Sequence, residues 1–410
     1  MSDIIEKEIL GNVSFINMGQ SPDSIYYNEE GFGLPLIQGN ADIKERKTIK
    51  RFWTTQFTKI CDEDDIILTV RAPVGYVGLA TFKSCIGRGV CSIKPVGVEP
   101  KYLYYLLIFN EENWKTFEAG TTFNAVTSKE VFNFPLRIIK STAEQYHIAH
   151  ILSTCDAVIE KTQSAIAKYK AIKQGMLHDL FTRGIDVNTG KLRPGYEDAP
   201  ELYKESILGR IPGEWETEIF SNAFEIISGG TPSTQNKDYW NGQIPWLSVE
   251  DFNNGKRYVQ TAVKNITEEG LNNSATNLLE KGMIIISARG TVGVISQLGT
   301  TMAFNQSCYG INSICKKANN DFVYYFLNYY KNYFGFISFG SVFNTITREY
   351  FDEMEIYFPS NEDELAEIIK RMSLIDSTIE SEQSYLQKMQ LLKKGLMEDL
   401  LSGRKKCPDH

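Results

Sequence analysis

No stretch of about 18 consecutive apolar residues, the length a membrane-spanning helix requires, occurs in this 410-residue chain. Its start, Met-Ser-Asp-Ile-Ile-Glu-Lys-Glu, is acidic and lacks the apolar core of a secretion signal, so a cytoplasmic protein is expected. Seven cysteines (Cys61, Cys85, Cys91, Cys155, Cys308, Cys315 and Cys407) are scattered without a Cys-x-x-Cys pair, which gives neither a disulfide framework nor a zinc site. Histidine is scarce. His147 and His150 stand three apart near the start of a long helical pattern and read as solvated, His178 aligns with Glu398, and His410 is terminal. Neither Gly-x-x-x-x-Gly-Lys-Ser/Thr nor a strand-turn-helix Gly-x-Gly-x-x-Gly is present, so nucleotide binding has no seat. Nor is there an Asn-Pro-Pro-aromatic segment of the kind used by amino-methyltransferases. The run Asp62-Glu63-Asp64-Asp65 has no counterpart before Met283 and reads as a solvated turn, while Pro22-Asp23 opens a nuclease-like pattern that finds no second half. Catalysis by this chain is therefore not expected.

Excess positive charge is also missing. The net charge of −8 argues against a broad nucleic-acid surface, which needs local positive potential. Acid and base nearly balance over residues 1–140, balance over 141–186, and acid exceeds base over 187–359. Any DNA footprint must be a local cleft or be supplemented by partner subunits. What the chain has in plenty is tyrosine (21) and phenylalanine (23), in runs such as Tyr324-Tyr325-Phe326 that read as aromatic core.

The chain also repeats itself. Lys173-Gln-Gly-Met-Leu-His-Asp-Leu180 recurs as Lys393-Lys-Gly-Leu-Met-Glu-Asp-Leu400, and Asp156-Ala-Val-Ile-Glu160 as Asp376-Ser-Thr-Ile-Glu380, at one offset of 220. Gly120 to Thr127 matches Gly340 to Thr347, and Tyr104-Tyr105 matches Tyr324-Tyr325, at the same offset. Upstream the offset drifts. Ile66 to Arg71 with Gly75 matches Ile284 to Arg289 with Gly293, Leu34 to Ile37 matches Ile244 to Leu247, and Glu8-Ile9 matches Glu218-Ile219.

Each copy ends in a long amphipathic helix of about 38 residues, roughly 57 Å at 1.5 Å per residue. Leu152, Cys155, Ile159, Thr162, Ile166, Tyr169, Lys173, Met176 and Leu180 alternate by three and four, and Met372, Ile375, Ile379, Glu382, Leu386, Met389, Lys393, Leu396 and Leu400 follow in phase. Polar breaks fall at the same two places, Thr162/Glu382 and Lys173/Lys393, where polar seam residues fix register. The helices are expected to pack on each other antiparallel, the alternative being a partner chain for each. Within the globular parts, Asp65 to Val70 and Gly282 to Ser287 read as strands, and Lys101 to Ile108 and Phe322 to Leu327 as short buried helices.

The expected fold class is α+β, with two pseudo-repeated α+β domains separated by two long helices that form an antiparallel coiled coil. The expected boundaries are 1–140 for the first domain, 141–186 for the central helix, 187–212 for an exposed turn-rich linker, 213–359 for the second domain and 360–403 for the C-terminal helix.

These features resemble the specificity (S) subunits of type I restriction–modification systems. Gly229-Gly-Thr-Pro-Ser233, followed by Tyr239-Trp-Asn-Gly-Gln-Ile-Pro-Trp246 and Asp251, looks like the opening of such a subunit's target-recognition domain, and Gly19-Gln-Ser-Pro22, Tyr27-Asn28 and Gly31 to Gly39 look like another form of it. Ser287-Ala-Arg-Gly-Thr-Val-Gly293 and the Lys-x-Gly-x-x-x-Asp-Leu helix ends resemble further family signatures, so the likeness covers essentially the whole chain. The chain starts almost at the first shared position. The resemblance implies a non-catalytic subunit in which each domain reads one half of a split double-stranded DNA sequence, with the helices as a ruler that docks two methyltransferase (modification) subunits. Restriction/translocase subunits complete the complex, and S-adenosylmethionine, ATP and Mg belong to those partners, with no cofactor or metal in this chain. Helices near 57 Å would set the half-sites more than one duplex turn of roughly 34 Å apart.

Arg71 and Arg289 occupy equivalent Gly-rich turns and read either as phosphate contacts or as members of buried salt bridges. Gln38, Asn40, Arg88, Asn124, Ser248, Gln306 and Asn344 sit in loops flanking strands, where groove contacts compete with ordinary turn capping. Seam residues Tyr169, Met176, Leu180, Met389, Leu396 and Leu400 are the expected partner-binding positions. The competing reading is a scaffold without DNA, two peptide-binding domains on a coiled coil.

Overall fold

The computed structural model describes residues 5–118, 125–206, 209–314, 318–333 and 345–406. The chain divides into two compact units, 1–163 with 385–410, and 164–384. The first long helix, Thr142–Thr182, and the second, Glu362–Leu401, run to 41 and 40 residues, and each contributes to both units.

In the first unit, a six-stranded sheet has the order Ser14–Met18, Val90–Pro95, Ile66–Thr69, Val77–Leu79, Lys47–Thr48, Ile43–Lys44. A five-stranded sheet runs Tyr27–Asn28, Phe52–Thr54, Leu34–Ile37, Ser84–Ile86, Ile60–Cys61. The strand Ile66–Thr69 is buried along its whole length, because alternate side chains point to opposite faces and both faces are covered. Ile66 and Leu68 join the core that includes the helix Pro100–Phe109, and Ile67 joins a second cluster with Ile37, Ile86 and Val90. An unbroken apolar run is what such a strand requires.

The second unit repeats this arrangement. Its five-stranded sheet runs Phe224–Ser228, Cys308–Ser313, Ile284–Ser287, Ile295–Leu298, Tyr258–Val259, and the four-stranded one Lys264–Ile266, Trp240–Leu247, Met302–Phe304, Leu278–Leu279. The registers correspond, with Leu68 opposite Cys91 in one unit and Ile286 opposite Tyr309 in the other. Ile284 and Ile286 face the main core while Ile285 faces the smaller cluster. The expected short buried helices are Pro100–Phe109 and Asn320–Tyr333.

Within each unit the two long helices run antiparallel. In the first, Ile148, Ala149 and Leu152 share a core with Met397, Leu400 and Leu401, and further along Asp156 pairs with Lys393. In the second, Leu177, Leu180 and Phe181 share a core with Leu365, Ile368 and Met372, and Lys173 pairs with Asp376. The lysine breaks in the seam are thus ion-paired across the helices. Thr162, at the other break, is buried and returns its hydroxyl to the carbonyl of Val158 at 2.8 Å.

The span 187–212, expected as an exposed linker, is instead built into the second unit. Tyr203–Ser206 and Gly209–Pro212 form one short hairpin within it, and Lys191–Leu192 forms another with Ile185–Asp186 just before it. Within the span Arg193, Ala199 and Ile211 are buried, and Ile211 joins the flanking Ile185 and Trp215 in the unit's main core. Arg193 is fixed by Glu364, whose carboxylate also accepts from Trp215 Nε1 at 3.1 Å and from the amide of Ile185 at 2.8 Å. Turn-forming composition marks tight hairpins as readily as it marks a linker, and here the distant Glu364 decides between them.

Candidate nucleic-acid interface

Four loops converge at one edge of each unit, closed by the same hydrogen bonds in both. In the first unit the amide of Gln20 donates to Ile86 O (2.9 Å), that of Gly87 to Ile37 O (2.8 Å) and that of Val70 to Gly89 O (2.9 Å). In the second, Gly230 donates to Phe304 O (3.0 Å), Asn305 to Leu247 O (3.0 Å) and Ala288 to Ser307 O (2.8 Å). The loops approach so closely that a Cβ on Gly19 would stand 2.1 Å from Gly87 O, and one on Gly229 2.1 Å from Asn305 O. Only glycine fits at that distance.

The arginine turns are built alike. The hydroxyl of Thr69 donates to Pro73 O at 2.6 Å and accepts from the Tyr76 amide at 2.9 Å, while Gly75, at φ +87°, completes the reversal. Ser287 plays the same part toward Thr291 and Val294, with Gly293 at φ +77°. Each turn is tied to the next loop by a short bridge, Arg71 to Ala125 and Arg289 to Thr345.

This frame brings most of the sequence-predicted residues together. Arg71, Arg88 and Gln38 are exposed on the first edge, with Asn40 opening the adjoining turn Asn40–Asp42. Arg289, Gln306 and Ser248 occupy the corresponding places on the second. Arg71 and Arg289 are exposed and form no ion pair among the described residues, so neither side chain is buried. The two edges then differ in side chain. Where Arg88 turns outward and gives its amide to Ser21 Oγ (3.1 Å), Gln306 accepts through its amide oxygen from Thr231 Oγ1. Where Gln38 is exposed, the Ser248 hydroxyl is committed to Asp251 (2.9 Å) in a capping box, the ordinary capping role. Asn124 and Asn344 lie outside the described residues. Of the seam positions, Leu180 and Leu400 are buried in the cores of their own units, and Met176 and Leu396 pack against those cores. Tyr169 and Met389 are half-buried. Leu180 and Leu400 serve intramolecular packing and offer no surface to another chain.

Sequence reading placed Ser21 and Thr231 in the two opening motifs without their role in holding the loop that carries Arg88 or Gln306, and it missed the pair Arg46 and Arg257. The carbonyl of Arg46 accepts from Leu79 and that of Arg257 from Gln297, both at 2.8 Å, which makes them equivalent residues. Arg46 pairs with Glu111 and lies over the Tyr76 ring at 4.4 Å, and Arg257 pairs with Asp321 and reaches Tyr325 Oη at 2.8 Å. The carboxylate Glu111 outweighs the cost of burying Arg46, whose guanidinium is held above its ordinary range. Among the described residues no group of His, Cys, Asp and Glu is placed to hold a metal ion, and no helix is long and apolar enough to cross a membrane. Asp65, last of the acidic run, is buried and accepts from the Asp62 amide to close its turn.

A repeated α+β domain that carries the same loop frame with different exposed side chains defines a two-part recognition protein. The family model of the type I restriction modification DNA specificity domain matches residues 6–168 and again 212–391. The chain belongs to this family and is a specificity subunit with two recognition domains. A putative type I restriction enzyme MjaX specificity subunit from Methanocaldococcus jannaschii is 28% identical over 316 residues, 75% of this chain and 68% of that protein. The MjaVIII specificity subunit of the same organism is 25% identical over 335 residues, covering 77% and 74%. The crystal structure of an S subunit from M. genitalium aligns over 100% of this chain and 98% of its own with a TM-score of 0.64 at 16% identity, a likeness of fold.

Proposed function

We propose that this chain is the non-catalytic subunit that selects a bipartite double-stranded DNA sequence, each recognition domain reading one half through its four-loop edge. The observation that carries this reading is the constant frame with changed side chains, Arg88 against Gln306 and Gln38 against Ser248, as two different half-sites require. Arg71 and Arg289, exposed on equivalent turns and without an ion pair among the described residues, supply phosphate contacts that position the duplex but carry no sequence. Arg88 and Gln38 reach base edges, since guanidinium and carboxamide groups match guanine and adenine in the major groove. Asn40 extends the first edge and Ser248 acts through its backbone, with Asn124 and Asn344, matched in the sequence repeat, as further DNA contacts.

The acidic net charge fits a chain that clamps DNA only with partners: two methyltransferase (modification) subunits, then restriction/translocase subunits. S-adenosylmethionine, ATP and Mg reside on those partners, and the assembly works in the cytoplasm. The test is binding of a panel of duplexes by the purified chain mixed with its modification subunits, at several salt concentrations. A sequence preference with salt-dependent affinity is expected. Affinity without sequence preference, or none beyond that of the modification subunits alone, overturns the reading.

A further inference from the structure

One cluster lies away from the four-loop edges and occurs twice. In the first unit Tyr105, on the recognition-domain helix Pro100–Phe109, donates its hydroxyl to Asp156 Oδ2 at 2.7 Å, and Lys393 reaches Asp156 Oδ1 at 2.6 Å. In the second unit Tyr325, on Asn320–Tyr333, donates to Asp376 Oδ2 at 2.8 Å, and Lys173 lies 2.5 Å from Asp376 Oδ1. Each cluster joins three elements, the recognition domain and both long helices. Their charged groups are largely withdrawn from solvent, with side-chain exposures of 33% and 19% for Asp156 and Lys393 and 10% and 21% for Asp376 and Lys173. Withdrawal makes such contacts demanding in geometry, since a carboxylate out of water needs its partners in place. Both sit beside a cleft, of about 420 Å³ in the first unit and 360 Å³ in the second.

The lysines are exchanged between repeats. Lys173, on the helix that follows the first recognition domain in sequence, serves the second domain, and Lys393, on the helix that follows the second, serves the first. We infer that Lys173 and Lys393 are crossed positioning residues, each fixing how the recognition domain of the other repeat is seated on the helices and therefore how sharply that domain discriminates its half-site. A seat held at three points keeps base contacts within the few tenths of an ångström that hydrogen bonding tolerates, and a loosened seat lets a wrong base be accommodated.

This inference rests on the DNA-reading role proposed above, and the test separates the two. The chain assembled with its modification subunits is measured on duplexes substituted in one half-site or the other, with Arg88→Ala marking which half the first domain reads. Lys393→Met is expected to lower discrimination roughly tenfold in the first domain's half-site alone, within what one mismatched base pair commands. Lys173→Met should do so in the second domain's half-site alone. Asp156→Asn should reproduce Lys393→Met, and the double variant should add nothing further, as expected of one shared contact. Tyr105→Phe, which removes a single hydrogen bond, gives a smaller change in the same half if the charge variants fail to assemble. Loss on the same repeat's half-site, equal loss on both, or unchanged discrimination in an assembled complex overturns the crossed assignment. Absence of any preference in the unaltered chain sinks the DNA-reading role and this inference with it.

Discussion

Replacing Glu364 by Ala tests whether residues 187–212 are an integral part of the second unit. The Glu364 side chain is 2% exposed and is shared by Arg193, Trp215 Nε1 and the Ile185 amide, the guanidinium lying 2.5 and 2.9 Å from its two oxygens. Removing one member of a buried pair leaves the other charge uncompensated, at about 3–5 kcal/mol. Arg193 keeps Glu214 at 3.2 Å, and although that side chain is 82% exposed it compensates part of the charge, so the cost should lie near the lower end. At each tenfold per 1.4 kcal/mol, about 3 kcal/mol lowers local protection on the order of a hundredfold. Hydrogen exchange of the amides in 185–192 and 203–212 reads this directly, and limited proteolysis should then cut within the same span. Glu144, which stands at the equivalent place in the first long helix, is half-buried and has no ion pair among the described residues. Glu144→Ala should therefore change stability by less than about 0.5 kcal/mol. Equal effects of the two substitutions, or an arm still protected in Glu364→Ala, would refute the claim that this carboxylate holds it.

Arg71→Ala should weaken binding evenly across sequences and reduce the dependence of log K on log salt by about 0.9, visible in a titration series; a changed preference would remove Arg71 from the phosphate contacts. Arg88→Ala should cost about 1–3 kcal/mol at one base position and relax specificity there, read on single-substitution duplexes. A Cβ on Gly89 would stand 2.0 Å from Gln38 O, so Gly89→Ala should destabilise the first unit by about 1–3 kcal/mol in denaturant unfolding, with wild-type stability as the refuting result. Burial pushes the thiols of Cys91 and Cys308 up to about 12, against about 8.5 for a free cysteine. The folded chain holds these protons longer than the unfolded one, so their contribution to stability is complete below about pH 8.5 and is lost as pH rises toward 12. Alkylation at pH 8 should reach neither thiol without unfolding, and mass-mapped labelling of the native chain would contradict this.

How much of this was legible follows from where the repeat holds its spacing. The long helices and the tyrosine pairs keep one offset of 220, because two helices that pack on each other twice cannot change length independently. Antiparallel pairing and ion-paired seam lysines were therefore within reach of the sequence. The loop edges keep no common offset. Gln38 corresponds to Ser248, Arg88 to Gln306 and Arg46 to Arg257 at three different spacings, and their equivalence rests on hydrogen bonds between strands far apart in the chain. That is why Gln38, Arg88, Ser248 and Gln306 read as separate loop residues, and why Arg46 and Arg257 were missed altogether. The arm 187–212 was misread for a related reason. Gly and Pro punctuate hairpins and linkers alike, and the deciding partners, Glu364 and the core around Trp215, are not local.

The contrast between constant helices and drifting loops also bears on how specificity is divided. Had the two domains kept identical exposed residues on identical frames, the chain would read a symmetric pair of half-sites, since equivalent geometry presents equivalent donors. Instead the glycines that permit close approach and the hydroxyls that hold the arginine turns persist in both units, while the side chains on the frame change, an outward Arg88 against a Gln306 that accepts from Thr231, and an exposed Gln38 against a Ser248 held by Asp251. A guanidinium selects bases by two donors and a carboxamide by one donor and one acceptor, so the two edges ask for different hydrogen-bond patterns. Exchanging only these residues, Arg88→Gln with Gln38→Ser, should then shift the first domain's preference toward that of the second without altering phosphate affinity, because Arg71 and Arg289 already stand in the same place. An unchanged preference in such a variant would place recognition outside the four-loop edges.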